Sequence, residues 1–146
     1  MTDEPYMKEA LAEARKALGQ GEVPIGAVVV SNDRIIGRGH NLVEMLNDVT
    51  AHAEMQAITA ASEYLGGKYL TDCTIYVTVE PCAMCAAALG WAQVGRIVYG
   101  ASDEKRGYRK VYGNERGPLH PKTNVTGGVL ANECSILMTD FFKKLR

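Results

Sequence analysis

Thr74-Ile75-Tyr76-Val77-Thr78-Val79-Glu80-Pro81-Cys82-Ala83-Met84-Cys85 is the run on which the reading of this chain turns. Residues 74–79 are rich in β-branched and aromatic side chains, which suit a pleated surface, and they form the clearest strand in the sequence. Pro81 ends that strand and, because its fixed φ suits a first helical turn, opens a helix through Gln93. Downstream, Arg96-Ile97-Val98-Tyr99-Gly100 reads as the next strand. The segment 105–125, with its glycines, prolines and charges, reads as loop with at most one short helix. Glu133 to Leu145 reads as a helix with Cys134, Leu137, Met138 and Phe141 at helical spacing.

Upstream, Thr50 is placed to cap a helix from Ala51 to Tyr64 that Gly66-Gly67 ends, and Asn41 to Val49 reads as loop. Pro24 opens a β-rich run from Ile25 to Val30. The turn formers Ser31-Asn32-Asp33 close it, and Arg34 to Gly39 returns, which makes a hairpin. The first element is an amphipathic helix from Tyr6 to Leu18, with Met7, Ala10, Leu11, Ala14 and Leu18 on one face. Strands alternating with helices imply an α/β sandwich: one sheet, antiparallel at the hairpin and parallel afterwards, with helices on both faces.

With 146 residues, 47% of them hydrophobic and 23% charged, the chain is expected to be one domain, 1–146, with its own core. No apolar run approaches the roughly 18 residues that a membrane span needs, and the first ten residues are acidic rather than basic and then apolar. A soluble, cytoplasmic protein with no membrane partner is the expectation. Formal net charge is −1, but the last 46 residues hold nine basic and five acidic side chains. Lys105, Arg106, Arg109 and Lys110 form one basic cluster and Lys143, Lys144 and Arg146 another; either suits phosphates, and either equally suits a solvated surface.

The chemistry is carried by His52-Ala53-Glu54 and by Pro81-Cys82-Ala83-Met84-Cys85, each at the start of an expected helix. Cys82 and Cys85, three apart, share a helical face, and the partial positive charge of a helix N-terminus favours thiolates. One imidazole and two thiolates make three metal ligands. Structural zinc sites close with four, whereas three leave a position for water, whose pKa zinc lowers towards neutrality. Glu54, two residues past the histidine, is poorly placed as a ligand but well placed to take a proton from that water and return it to substrate. Taken alone, the cysteine pair also fits a redox motif, two buried thiols, or a closed zinc site completed by His40 or His120 with Cys73 or Cys134. Cys73 and Cys134 read as buried thiols, and Met84 and Trp91 as core.

The pattern H-x-E…P-C-x-x-C resembles the signature of zinc nucleobase deaminases. From Val23 onward the chain resembles the tRNA adenosine deaminases, members of the cytidine deaminase superfamily that convert the wobble adenosine to inosine. The resembling stretches are Val23-Pro24-Ile25-Gly26-Ala27-Val28, Gly39-His40-Asn41, Thr50 to Glu54, Tyr76 to Cys85, Val98 to Asp103, Gly128-Val129-Leu130, Glu133-Cys134 and Phe141-Phe142. The resemblance implies a three-layer α/β/α sandwich on a mixed five-stranded sheet. It also implies one Zn(2+) per subunit on His52, Cys82 and Cys85, Glu54 as catalytic residue, and Asn41 hydrogen-bonding the flipped base. A homodimer is implied, with the tRNA anticodon stem-loop as partner and with Asp103, Lys105, Phe142, Lys143 and Arg146 as possible RNA contacts. Three departures stand out: Asp48-Val49-Thr50 where the family commonly reads Asp-Pro-Thr, His120-Pro121 where bacterial enzymes read Asn-His, and Gly90-Trp91-Ala92, which is similar to free guanine deaminases. A deaminase of free guanine, cytosine or a nucleoside is therefore the alternative. A noncatalytic RNA-binding or structural-zinc module is disfavoured, because Glu54 would be idle in it.

Overall fold

The computed structural model describes residues 3–145. Eleven elements follow one another in chain order: α1 (Glu4–Gly19), β1 (Gly26–Ser31), β2 (Arg34–His40), α2 (Val43–Leu46), α3 (Ala53–Leu65), β3 (Thr74–Val79), α4 (Ala83–Ala92), β4 (Arg96–Ala101), α5 (Tyr108–Tyr112), β5 (Asn124–Thr126) and α6 (Ala131–Lys144). The five strands form one sheet in the order β2-β1-β3-β4-β5. β1 pairs antiparallel with β2 and β3, and the β3-β4 and β4-β5 pairs are parallel. Asn32 and Asp33, at φ 51° and 60°, form the two-residue hairpin turn, whose left-handed backbone matches the twist of the flanking strands.

Alternation along each strand divides the core into two layers. Val28, Val30, Tyr76 and Val98 point to one face and pack with Met7, Ala10 and Leu11 of α1 and Cys134 and Leu137 of α6. Ala27, Val29, Ile75, Val77 and Ile97 point to the other, against Ala53, Ala57 and Ala61 of α3 and Ala86, Leu89 and Ala92 of α4. This is the three-layer sandwich on a mixed five-stranded sheet.

The helix before α3 is a correction to the sequence reading: α2 interrupts the expected loop, anchored where the Glu44 and Met45 N–H groups donate to the buried Glu22 carboxylate at 3.0 and 2.8 Å. α3 begins two residues later than expected, because Thr50 is not its cap. The Thr50 N–H and hydroxyl both donate to Asp48 Oδ1, at 2.8 and 2.7 Å, and turn the chain before the helix starts. That turn supplies the stiffness that a proline at the position of Val49 would otherwise give.

The helices carrying the chemistry sit very close to the sheet. Gly39 has no room for a side chain: a Cβ there would collide with the Ala53 carbonyl oxygen and stand 2.7 Å from the Ala57 nitrogen. Gly39→Val is expected to push α3 off β2, costing about 2 kcal/mol or more of stability. Because the pushed end carries His52 and Glu54, zinc affinity should fall as well. Denaturant unfolding beside a zinc titration checks this, and a variant matching the parent in both would show that the close approach is not needed.

Candidate active site

His52 and Cys82 occupy equivalent places, the capping residues immediately before α3 and α4, each with extended backbone. The Gln56 and Ala86 N–H groups donate to their carbonyl oxygens at 3.1 and 2.9 Å, so both side chains project from the first turn of a helix. Cys85 lies one turn into α4 and is buried. His52 Nδ1 stands 3.6 Å from the Cys82 sulfur and 3.5 Å from the Cys85 sulfur, and all three donor atoms lie within 4.8 Å of one another. A tetrahedral zinc with ordinary bond lengths holds nitrogen and sulfur donors about 3.6 Å apart. The donor spacing therefore fits the ion. Among the described residues this is the one such cluster of three or more His, Cys, Asp and Glu groups. His40 instead faces Glu13 and Gln20, and His120 Nδ1 accepts the Lys122 N–H, so neither completes a closed zinc site.

The cluster is electrostatically prepared for a cation. The Cys82 thiol is pushed down to about 4, chiefly by its hydrogen bond with the Cys85 thiol, while that same contact and burial push Cys85 upward. His52 is raised, first by its hydrogen bond with Cys82. Cys82 and Cys85 would both ligate a metal as thiolates, with loss of the proton they share. Beside them Glu54, 4% exposed, sits in the first turn of α3, where burial pushes its carboxyl up to about 7.

Asn41 directly follows β2, and its N–H donates to the Ile25 carbonyl at 3.2 Å. The next N–H, of Leu42, donates to the Ala51 carbonyl at 2.9 Å, which ties this turn to the residues leading into α3. The Asn41 side-chain oxygen is buried without a hydrogen-bond partner, in a residue only 7% exposed. A buried acceptor left unmatched is costly unless something else satisfies it.

Of the expected RNA contacts, Asp103 is half-buried and its carboxylate accepts the Lys105 and Arg106 N–H groups at 3.0 Å each. Lys105 and Arg106 themselves are exposed. Phe142 and Lys143 are exposed on the last turn of α6, with Phe142 edge-on to the half-buried Phe141. Arg146 lies outside the described residues. Arg109 is a correction: it is no free phosphate ligand, because its guanidinium is committed to the buried Glu80 carboxylate at 3.1 and 3.2 Å. Trp91 is another, since it is 84% exposed on α4 and not core, while Met84 is half-buried. Gly90 beside it is a packing glycine, where a Cβ would collide with the Pro118 carbonyl.

The profile of the MafB19-like deaminase family matches residues 1–146. A tRNA-specific adenosine deaminase of Bacillus subtilis (strain 168) is 46% identical over 146 residues, covering 99% of this chain and 91% of that protein. The chain belongs to the tRNA-specific adenosine deaminases. Among solved structures, one from a study of A-to-I editing by tRNA:A34 deaminases at the wobble position superposes with a TM-score of 0.83 at 42% identity, covering 91% of this chain and 98% of the other. A guanine deaminase from Bacillus subtilis is more distant, with a TM-score of 0.67 at 37% identity over 76% of this chain and 68% of its own.

In this deaminase, three buried acids escaped the sequence reading, Glu13 of α1 and two others, Glu22 and Glu80, that hold loops in place. Glu22 anchors α2, next to Asn41, and Glu80 anchors the loop after β4. The available signal for Glu80 was a carboxylate closing an otherwise uncharged strand directly before Pro81. For Glu22 there was none, because acids near helix ends and turns are ordinary surface residues.

Proposed function

We propose that residues 1–146 form one zinc-dependent deaminase domain that hydrolyses the wobble adenosine of a tRNA anticodon loop to inosine and ammonia. The observation that carries this is the convergence of His52, Cys82 and Cys85 at two helix N-termini beside the buried Glu54, in a chain of this family. His52, Cys82 and Cys85 would hold one Zn(2+) per subunit, which when bound supplies the Lewis acidity that makes water nucleophilic at neutral pH.

Glu54 is the catalytic acid and base. Water adds through oxygen to the ring carbon that bears the amine, and Glu54 takes the proton that water gives up. It delivers that proton to the adjacent ring nitrogen; the proton left on the added oxygen then passes through the same carboxyl to the amine, and the C–N bond breaks as the C=O forms and ammonia leaves. A carboxyl held near 7 by burial both accepts and donates at working pH. Asn41 offers its unpartnered oxygen, and an amide that can donate as well, to the edge of the extruded base. Lys105, Lys143 and Arg146 would neutralise phosphates, with Phe142 stacking on an unpaired base and Asp103 shaping the loop beside it.

The partner is the anticodon stem-loop, and a second copy of the chain completes a homodimer. Exposed apolar side chains on α2, α3 and α4, namely Met45, Leu46, Tyr64, Leu65 and Trp91, support self-association. No helix of the described residues is long and apolar enough to cross a membrane. The cytoplasm is the proposed location, in keeping with four free cysteines.

The test is ammonia release by the zinc-loaded enzyme on anticodon stem-loops with a wobble adenosine, set against free guanine, cytosine, adenosine and cytidine. Activity confined to the stem-loop and weakening with salt is the expected result. Activity confined to free guanine would move the assignment to the second reading, which the likeness to the Bacillus subtilis guanine deaminase favours.

A further inference from the structure

Glu80 is the one acid in the run 74–85, two residues before Cys82, and its side chain is 1% exposed. One oxygen accepts the Asp103 N–H and Arg109 Nη2, both at 3.1 Å. The other accepts the backbone N–H and Nε of Arg109, both at 3.2 Å. A single carboxylate thus grips both ends of the loop 102–109. The Arg109 fork is held in turn by Ser102 Oγ at 3.0 Å and lies 5.4 Å from the centre of the Tyr99 ring. Between these ends the loop wraps so tightly that a Cβ on Gly107 would collide with the Glu80 carboxyl.

The same loop is bonded to the metal-ligand segment through its backbone. Gly107 pairs with Cys82 in an isolated bridge, and the Tyr108 N–H donates to the Pro81 carbonyl at 2.9 Å. At the exposed tip, the Asp103 carboxylate fixes the backbone of Lys105 and Arg106, leaving their side chains in solvent. Burying an ion pair is a poor way to stabilise a fold, because an apolar pair of similar volume does as well or better. What a bidentate pair adds is a fixed orientation.

We propose that the buried Glu80 and the part-exposed Arg109 form a clasp that holds the 102–109 loop in register with the Cys82 segment, so that the loop tip is preformed to grip RNA beside the reacting centre. Both are positioning residues. The inference rests on the tRNA reading above for its ligand, but the clasp itself is a property of the fold and is measured separately.

The experiment uses Arg109→Met, Glu80→Gln and the double variant in the zinc-loaded full chain, with Arg109→Lys as the charge-conserving control. Zinc content should stay at the parent level in all four. Amide hydrogen exchange at Asp103 and Arg109, whose N–H groups Glu80 accepts, should accelerate roughly tenfold in Arg109→Met. On an anticodon stem-loop KM should rise about tenfold with kcat within about twofold, because the grip of the loop on the RNA is weakened while the metal donors and Glu54 stay in place. The double variant should be no worse than the worse single one, and Arg109→Lys should fall between it and the parent. Unchanged exchange at those two amides overturns the clasp, as does a fall in kcat at constant KM or single-variant effects that multiply. A parent enzyme inactive on the stem-loop overturns the tRNA reading instead, and the exchange measurement then decides the clasp alone.

Discussion

Replacing Glu54 by alanine or glutamine is expected to lower deamination by about a thousandfold or more while leaving the zinc content at the parent level. The carboxyl is the one buried acid next to the His52, Cys82 and Cys85 donors, and burial holds it up at about 7. No second acid or base is placed to substitute for it: His52 faces both sulfurs, and Glu80 is fully occupied with Arg109. Because Glu54 contributes no donor to the three-atom cluster, its loss should not release metal. Glutamine keeps the shape and removes the proton traffic, so the two variants should be equally impaired in kcat. Zinc analysis beside ammonia release makes the measurement, and turnover at the parent rate in either variant would remove Glu54 from the mechanism.

The second large effect is loss of the metal in Cys85→Ala or Cys82→Ala. Two donors cannot hold zinc as three do, and a helix N-terminus with an imidazole and one sulfur is a weak site. Zinc should drop from one per chain to a trace, and activity should disappear with it. The melting temperature should fall as well, since metal bound only by the folded state adds its binding free energy to stability. Chelation of the parent should reproduce both losses, and added zinc should reverse them in the parent only. Retention of a full zinc complement by either alanine variant would show that the ligand set has been misassigned. The two experiments also separate from each other, since the Glu54 variants keep zinc without turnover and the cysteine variants lose both.

Much of this was legible in the residues because it depends on short-range chemistry. The alternation and β-branched content of 25–30 and 74–79 report a pleated surface, the glycines after α1 and α3 report helix ends, and Pro81 reports a strand turning into a helix. The candidate metal-binding cluster was legible because Cys82 and Cys85, three apart, share a helical face, and because a histidine and an acid stand at the start of the preceding helix. Where the sequence reading failed, the competing interaction was local but ambiguous. Thr50 had the chemistry of a helix cap, yet Asp48 offered it a nearer acceptor.

The sequence by itself indicated the order of the main elements apart from α2 and β5, a sheet that is antiparallel and then parallel, and a candidate donor set with Glu54 beside it, since each is a matter of residue type at fixed spacing along the chain. Only the tertiary structure decided which charges are free and which are spent. Arg109 counts as one of a basic run until Glu80, 29 positions away in the chain, is seen to cancel it. Trp91 looks like core until α4 is turned so that its alanines, not its tryptophan, meet the sheet. Asn41 is one more turn-forming amide until burial strips its oxygen of every partner. In each case the deciding quantity is solvation. Water satisfies any polar group on an extended chain, and only the packed fold determines which groups must find their partner within the protein or in what it binds.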